Sequence, residues 1–456
     1  MESYNCSLPE DIITDILSRL PAVFLLSLKQ VCKTWRDLLV GPNFARIHLR
    51  RQQYVDQGIT HDASISNNYK VSFLCFLEST ENQYQQSIHY REYLDDENLE
   101  NLSNRKFTIN FKGLPVDSCN GLICLSSVDR LHWVEESPIE TSSEVQEFPI
   151  ETRTEYRVPN LKQFTYVHND PTYIFNPVTG EELRLPELLV PDTIVGHQLT
   201  LSVGFGYLPS TGEYKVVRIY YQPKDVLKYD RTPVGKVQVY TLGGESSSSG
   251  HWRNKCDIPY HFGQSDGVFF NGALHWVQYG HGDRERIMAF DLGTEEFFVV
   301  KSPPDCFQGD SAHGYELCRL GGCLGVYHNK DCYNRNDRSW DIWVLKKTEN
   351  DTSFVMDENE EYYDSSWSWS RIFSIDQAEL SYDDCLPLSV TKSGEILFKY
   401  RQLSALCIYE PKTATFRTIP CLFNMDPWLD TCMVLHVNTF VSLKGIAREL
   451  QEIVGS

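Results

Sequence analysis

Gly263-Gln264-Ser265-Asp266-Gly267 has the Gly-X-Ser-X-Gly spacing that raises a nucleophilic serine on a strained strand-to-helix turn in hydrolases. That chemistry needs a helix after the serine. Val268-Phe269-Phe270 begins a β-type run instead, so the segment reads as a turn. Gly204-Phe205-Gly206 lacks the third glycine and the following helix of a dinucleotide site. Cys119 with Cys124, and Cys318 with Cys323, have the wrong spacing for a zinc knuckle, and no Cys/His pair follows at ligand distance. The 13 histidines show no paired spacing, and His275, beside Trp276 in a strand-like run, reads as a packed residue. There is no P-loop. The residues that could do chemistry therefore predict no catalytic group, no bound metal and no cofactor.

Composition narrows the partners. Acids exceed bases by 20 in 456 residues, and no basic patch is segregated, which argues against a nucleic-acid binder. Hydrophobic residues make up 41%, an ordinary globular share, and the 25 Tyr and 23 Phe against 5 Met tilt the chain toward strands. Met1-Glu2-Ser3-Tyr4-Asn5 opens without a basic region and apolar core, and no apolar stretch approaches the length of a membrane span, so neither a signal peptide nor a membrane partner is expected. In that reducing context the 14 cysteines are expected as free thiols, and the protein in the cytoplasm, the nucleus or both.

The first fifty residues differ from the rest. Six bases nearly balance five acids there, and the apolar period is helical. Ser7-Leu8-Pro9-Glu10 has a capping-box pattern, with Leu8, Ile12, Ile13, Ile16, Leu17 and Leu20 on one face. After Pro21, Leu25, Leu28, Val31, Cys32, Trp35, Leu38 and Leu39 continue at helical steps as far as Gly41-Pro42, and Phe44-Ala45-Arg46-Ile47 fits one last short helix. So few residues cannot bury this apolar surface among themselves. A helical hairpin docked on the next domain and a face for a partner protein fit the periodicity equally well.

A polar connector over 51–68 leads into short alternating runs bounded by Gly, Pro, Asn and Asp, an all-β pattern. A glycine turn feeding an apolar strand recurs at Gly121, Gly272, Gly322 and Gly394, and Gly204, in the further unit Val203-Gly204-Phe205-Gly206-Tyr207, falls at a comparable interval. Such repetition predicts a β-propeller of four-stranded blades. A first blade over 71–111, closed by a late strand within Met433–Leu443, makes the count about six. An irregular two-sheet sandwich is the alternative. Acid-rich stretches at Glu135–Glu155 and Asp357–Asp364 read as solvated insertions, or as flanks of a face that favours a basic partner. Residues 444–456 fit an amphipathic tail docked on the body.

Two resemblances add function. Leu8-Pro9, Ile16-Leu17, Leu20-Pro21 and Val31-Cys32-Lys33-Thr34-Trp35-Arg36, correctly spaced, resemble an F-box. This implies a Skp-type adaptor as partner, joined through it to cullin and RING subunits. Leu8, Pro9, Ile12, Ile16, Leu17, Leu20, Pro21, Leu25, Leu28, Val31, Cys32 and Trp35 would be contacts or the core supporting them. Ala22-Val23-Phe24 departs from the more polar turn usual in the family, leaving Phe24 as either an extra contact or a plug against the body. Ser118-Cys119-Asn120-Gly121-Leu122, Tyr173-Ile174-Phe175-Asn176-Pro177 and Val203-Gly204-Phe205-Gly206-Tyr207 resemble the Kelch-like F-box-associated domain common in plants, over most of residues 69–440. The expected protein is a small all-α F-box module (1–50) followed by an all-β, Kelch-like propeller (69–443), acting as a non-catalytic substrate receptor of an SCF-type ubiquitin ligase. A narrower version is a pollen S-locus-type receptor of basic ribonucleases. A propeller enzyme or lectin with a helical appendage, and an F-box protein working outside a ligase, are the alternatives. Tyr362, Tyr363, Trp367 and Trp369 are the capture candidates, since aromatic residues are enriched at interfaces.

Overall fold

In a computed structural model the described residues are 8–56, 70–78, 86–94, 105–109, 113–126, 171–186, 188, 200–221, 234–243, 250–263, 265–278, 286–304, 306, 315–329, 339–347, 363, 366–376, 385–391, 393–400, 405–419, 432–443 and 446. The acid-rich stretch at 135–155, Tyr362 and nearly all of the tail lie outside them.

Four helices open the chain: α1 (Glu10–Ser18), α2 (Ala22–Leu28), α3 (Lys33–Val40) and α4 (Pro42–Asp56). Ser7 of the expected capping box lies outside the described residues. Pro9 holds the cap position without a side-chain bond, which puts Glu10 in the first turn, where with Asp11 it faces the positive end of the helix dipole. The second apolar run is two helices rather than one. Cys32 ends the turn between them and caps α3, its Sγ accepting the Trp35 amide at 3.4 Å. Gly41-Pro42 opens a helix where a break was expected, because proline at a first helical position gives up an amide that has no partner there anyway. The resulting α4 has 15 residues and runs beyond residue 50.

Six four-stranded antiparallel sheets follow, so the two-sheet alternative is excluded. Blade 1 joins β1 (Lys70–Glu78), β2 (Gln86–Leu94) and β3 (Arg105–Ile109) to the last strand of the chain, β24 (Cys432–Leu435). Blade 2 is β4 (Leu114–Cys119), β5 (Leu122–Ser126), β6 (Pro171–Asn176) and β7 (Glu181–Arg184). Blade 3 is β8 (Thr200–Leu208), β9 (Glu213–Tyr221), β10 (Gly235–Leu242) and β11 (Trp252–Ile258). Blade 4 is β12 (Val268–Phe270), β13 (Ala273–Gln278), β14 (Arg286–Asp291) and β15 (Phe297–Val300). Blade 5 is β16 (Tyr315–Leu320), β17 (Cys323–Asn329), β18 (Ser339–Lys347) and β19 (Trp367–Asp376). Blade 6 is β20 (Cys385–Val390), β21 (Ile396–Tyr400), β22 (Ala405–Glu410) and β23 (Thr415–Ile419).

Each junction between neighbouring blades has its own apolar core. Alternation along a strand explains how one blade serves two of them. In β1, Val71, Phe73 and Cys75 pack against Leu397, Leu406 and Ile408 of blade 6, whereas Leu74 and Phe76 pack against Ile123 and Leu125 of blade 2. In β5, Leu122 and Cys124 turn the other way, toward Val203 and Phe205 of blade 3. Both faces are buried, which is why these strands read as unbroken apolar runs. Cys75, Cys119, Cys124, Cys306, Cys385 and Cys407 pack as small buried groups, and these together with Cys32, Cys256, Cys318 and Cys323 are thiols rather than disulfides. The Asn-Gly pairs of the repeat are tight hairpin turns with both residues at positive φ: +53° and +83° at Asn120-Gly121, +48° and +79° at Asn271-Gly272.

Blades 3 and 4 are further clamped by charge. Glu295, at φ +59°, sends its carboxylate into a site filled by Lys215 (2.9 Å), Arg253 (2.6 Å) and Lys255. Burial pushes its pKa up, but the bonds from Arg253, Lys255 and Lys215 outweigh it and hold the group at about 2. Near the axis the inner strands of these blades almost touch. The Gly267 amide donates to the Val203 carbonyl at 2.6 Å, and Gly204 and Gly267 form a parallel bridge. A Cβ on Gly267 would lie 2.4 Å from the Trp276 ring. Gly267→Ala is therefore expected to destabilise the protein by about 2 to 3 kcal/mol through overpacking alone. Chemical denaturation checks this, and an unchanged midpoint would contradict it.

Candidate adaptor-docking surface and its attachment to the propeller

The helices divide the expected adaptor residues into two sets. Leu17 and Leu25 are buried in the core of the module with Ala22, Leu39, Phe44 and Ala45, and Leu20, Leu28 and Trp35 pack half-buried against it. Leu8, just before α1, and Ile12 and Ile16 within it recur at four-residue steps and face solvent, 53%, 43% and 47% exposed. Pro9, Pro21, Val31 and Cys32 are exposed as well. Phe24 is 65% exposed, which rules out the plug. Val40, exposed at the end of α3, was not anticipated, since its place next to the Gly-Pro break gave no apolar spacing to read. Burying such apolar groups against a partner is the favourable term in most protein association.

The module is not a free appendage. Its core takes in two propeller residues, Val178 from the β6–β7 turn and Phe440 from the segment after β24. The Phe440 ring meets Phe44 edge-on at 6.3 Å and His48 at 5.7 Å, and the Lys29 ammonium stands 4.7 Å from its centroid. His48 is fully buried, donates from Nε2 to the Leu20 carbonyl at 3.0 Å, and is kept neutral by burial, which lowers its pKa. The Asn176 amide holds the same segment by donating to the Thr439 and Val441 carbonyls at 3.2 and 2.7 Å. Glu181 accepts the Leu443 amide at 2.6 Å and the Ser442 hydroxyl at 3.1 Å.

Strand direction then sets which loops lie where. The Asn120-Gly121 turn touches Thr439 and the 177–180 turn touches the helices, so the first-to-second and third-to-fourth strand turns of blades 2 to 6 lie at the F-box end. Second-to-third strand connections leave from the far end.

The capture candidates sit elsewhere. Tyr363 lies in the third-to-fourth strand connection of blade 5 and Trp367 and Trp369 follow it at the start of β19, so all three lie toward the F-box end. The structure brings them together, but in packing. Tyr363 stacks on Phe270 (6.4 Å, 9° between planes), Trp367 is edge-on to both, and the Trp369 indole donates to the Lys301 carbonyl at 2.5 Å. His275 joins them, fully buried, with Nδ1 donating to the Val268 carbonyl at 3.1 Å and Nε2 accepting from the Tyr363 hydroxyl at 2.9 Å. The set joins blade 4 to blade 5. Ser265 is turned inward as well, donating to the Phe262 carbonyl at 2.7 Å, with β12 and not a helix next in the chain.

Burial drives the pKa of His275 down to about 4. A histidine that stays neutral when folded but protonates when unfolded costs stability as pH falls below its ordinary value near 6.5, at about 1.4 kcal/mol per unit of displacement. His275→Gln keeps a donor and an acceptor at the site. Between pH 7.5 and 5, wild type is expected to lose more stability than this variant in parallel thermal melts, and equal losses would contradict a neutral His275.

Comparison with known proteins agrees with this layout. Residues 5–46 match the F-box domain, and residues 63–426 match the F-box associated beta propeller domain. The F-box protein At3g07870 of Arabidopsis thaliana is 27% identical over 475 residues, covering 95% of this chain and 91% of the relative. The F-box/kelch-repeat protein At3g23880 of the same plant is 22% identical over 420 residues, covering 90% and 89%. A docked set of helices with an apolar outer stripe, six blades closed by the last strand, and both domain matches in that order place the chain in the family of F-box proteins with an F-box associated β-propeller.

Proposed function

We propose that this chain is the substrate-recognition subunit of an SCF-type ubiquitin ligase, acting in the cytoplasm, the nucleus or both. The observation that carries the reading is the row of exposed apolar side chains Leu8, Ile12 and Ile16, with Val31 and Phe24, on an F-box whose core is otherwise filled. A Skp-type adaptor covers them and brings cullin and RING subunits with it. Mechanistically the chain contributes proximity: it holds a target beside a conjugating enzyme and performs no bond chemistry itself. Because the helices occupy one end of the propeller, the far end is the face that receives the target. A net charge of −20 favours basic targets through steering, an effect that added salt weakens.

Co-purification of the full chain with a Skp-type adaptor tests the reading. Wild type is expected to bind stoichiometrically. Ile12→Asp combined with Ile16→Asp, which changes only solvent-facing positions of α1, is expected to weaken binding by about 100-fold or more with an unchanged melting curve. A well-folded wild type that fails to bind would overturn the proposal.

A further inference from the structure

We infer that adaptor docking by this chain depends on closure of its propeller, with residues 436–443 as the latch between the two. The inference rests on the adaptor reading above, and its structural half can be tested without an adaptor.

The latch follows directly from the closing pair. β24 runs antiparallel to β1, with Phe73 opposite Leu435 and Phe76 opposite Cys432, and the pairing continues one step further where the His436 amide donates to the Ser72 carbonyl at 2.9 Å. His436 then meets the Ser118 hydroxyl of blade 2 through Nδ1 at 2.8 Å. Thr439 donates to the Asn120 carbonyl at 2.7 Å and lies against Gly121, where any Cβ would fall 2.0 Å from its Oγ1. From that seat the chain delivers Phe440 into the helices. There its ring is 3% exposed, between Phe44, His48 and the Lys29 ammonium. The hydrogen-bond anchors of the segment are residues of blades 1 and 2, and Val441 and Leu443 pack into the core shared by blades 2 and 3, with Leu49 of α4, so Phe440 is held against the helices by a segment that the closing strand leads into the ring.

The helices need it. Small modules have little interior, and among the described residues the buried core of this one includes Val178 and Phe440 from the propeller. With Phe440 absent, Phe44 and His48 face a gap, and the α1 stripe loses the packing that fixes its orientation. Phe440 is a positioning residue: it lies inside the core and acts on the adaptor through the helices.

Hydrogen exchange and adaptor titration on the full chain test this. In wild type under rising denaturant, amides of α1, α2 and α4 are expected to lose protection in the same step as those of β24. Phe440→Ala is expected to speed exchange in these helices about ten-fold or more and to weaken adaptor binding about ten-fold, with blades 3 to 5 as protected as before, and Phe440→Leu is expected to restore most of both. Helices that open in a separate earlier step in wild type, or helices and affinity left unchanged by Phe440→Ala, would overturn the latch. The wild-type denaturant series decides the matter if the alanine variant does not fold. A wild type that binds no adaptor but shows joint opening would remove the adaptor reading and leave the coupling in place.

Discussion

The pairing of β24 with β1 is the contact on which the rest of the molecule depends. Five of the six blades are built from strands consecutive in the chain, and each could form locally. Blade 1 cannot, because its innermost strand, β24, comes from the other end of the propeller. Until that strand arrives, the core shared by Val71, Phe73 and Cys75 with Leu397, Leu406 and Ile408 lacks Met433, and β1 offers an open edge. Exposed edges invite pairing with other chains. Closing the ring removes the liability and joins sequence-distant parts, at the cost of a contact order that slows folding.

Much of this was legible in the sequence. The glycines at 121, 272, 322 and 394 gave away the blades because each sits in a turn at positive φ that few residues tolerate, whereas Gly204 lies inside β8, and the run from Val71 to Leu77 read as a strand whose burial on both faces only the structure shows. The late strand was foreseen within Met433–Leu443, although only its first part is strand and the rest is the irregular latch. The helix breaks were harder. Cys32 as a cap and Pro42 as a helix starter carry little signal in a pattern dominated by apolar spacing, so three helices were expected where there are four.

The site was readable in kind but not in detail. Spacing alone could not separate Ile16, which faces solvent, from its neighbour Leu17, which does not. That division depends on where α4 and Phe440 lie, and those are tertiary facts. The aromatic candidates show the opposite difficulty. Tyr363 and Trp367 look like an exposed cluster in the sequence because their partners, Phe270 and His275, come from another blade nearly 90 positions earlier. Tyrosine and tryptophan suit both interfaces and blade junctions, since each combines a large apolar body with a polar end that needs a partner.

The late arrival of Phe440 has a consequence for the chain as it is made. The F-box leaves the ribosome first, yet its core is completed by a residue roughly 400 positions further on, about 20 to 80 s later at ordinary rates of synthesis. For that interval the helices are an unfinished module with apolar side chains on the outside and a gap within. A nascent or prematurely ended chain would then be a poor recruit for the degradation machinery, and the supply of working receptors would be screened for full-length, closed propellers before any of them meets a target.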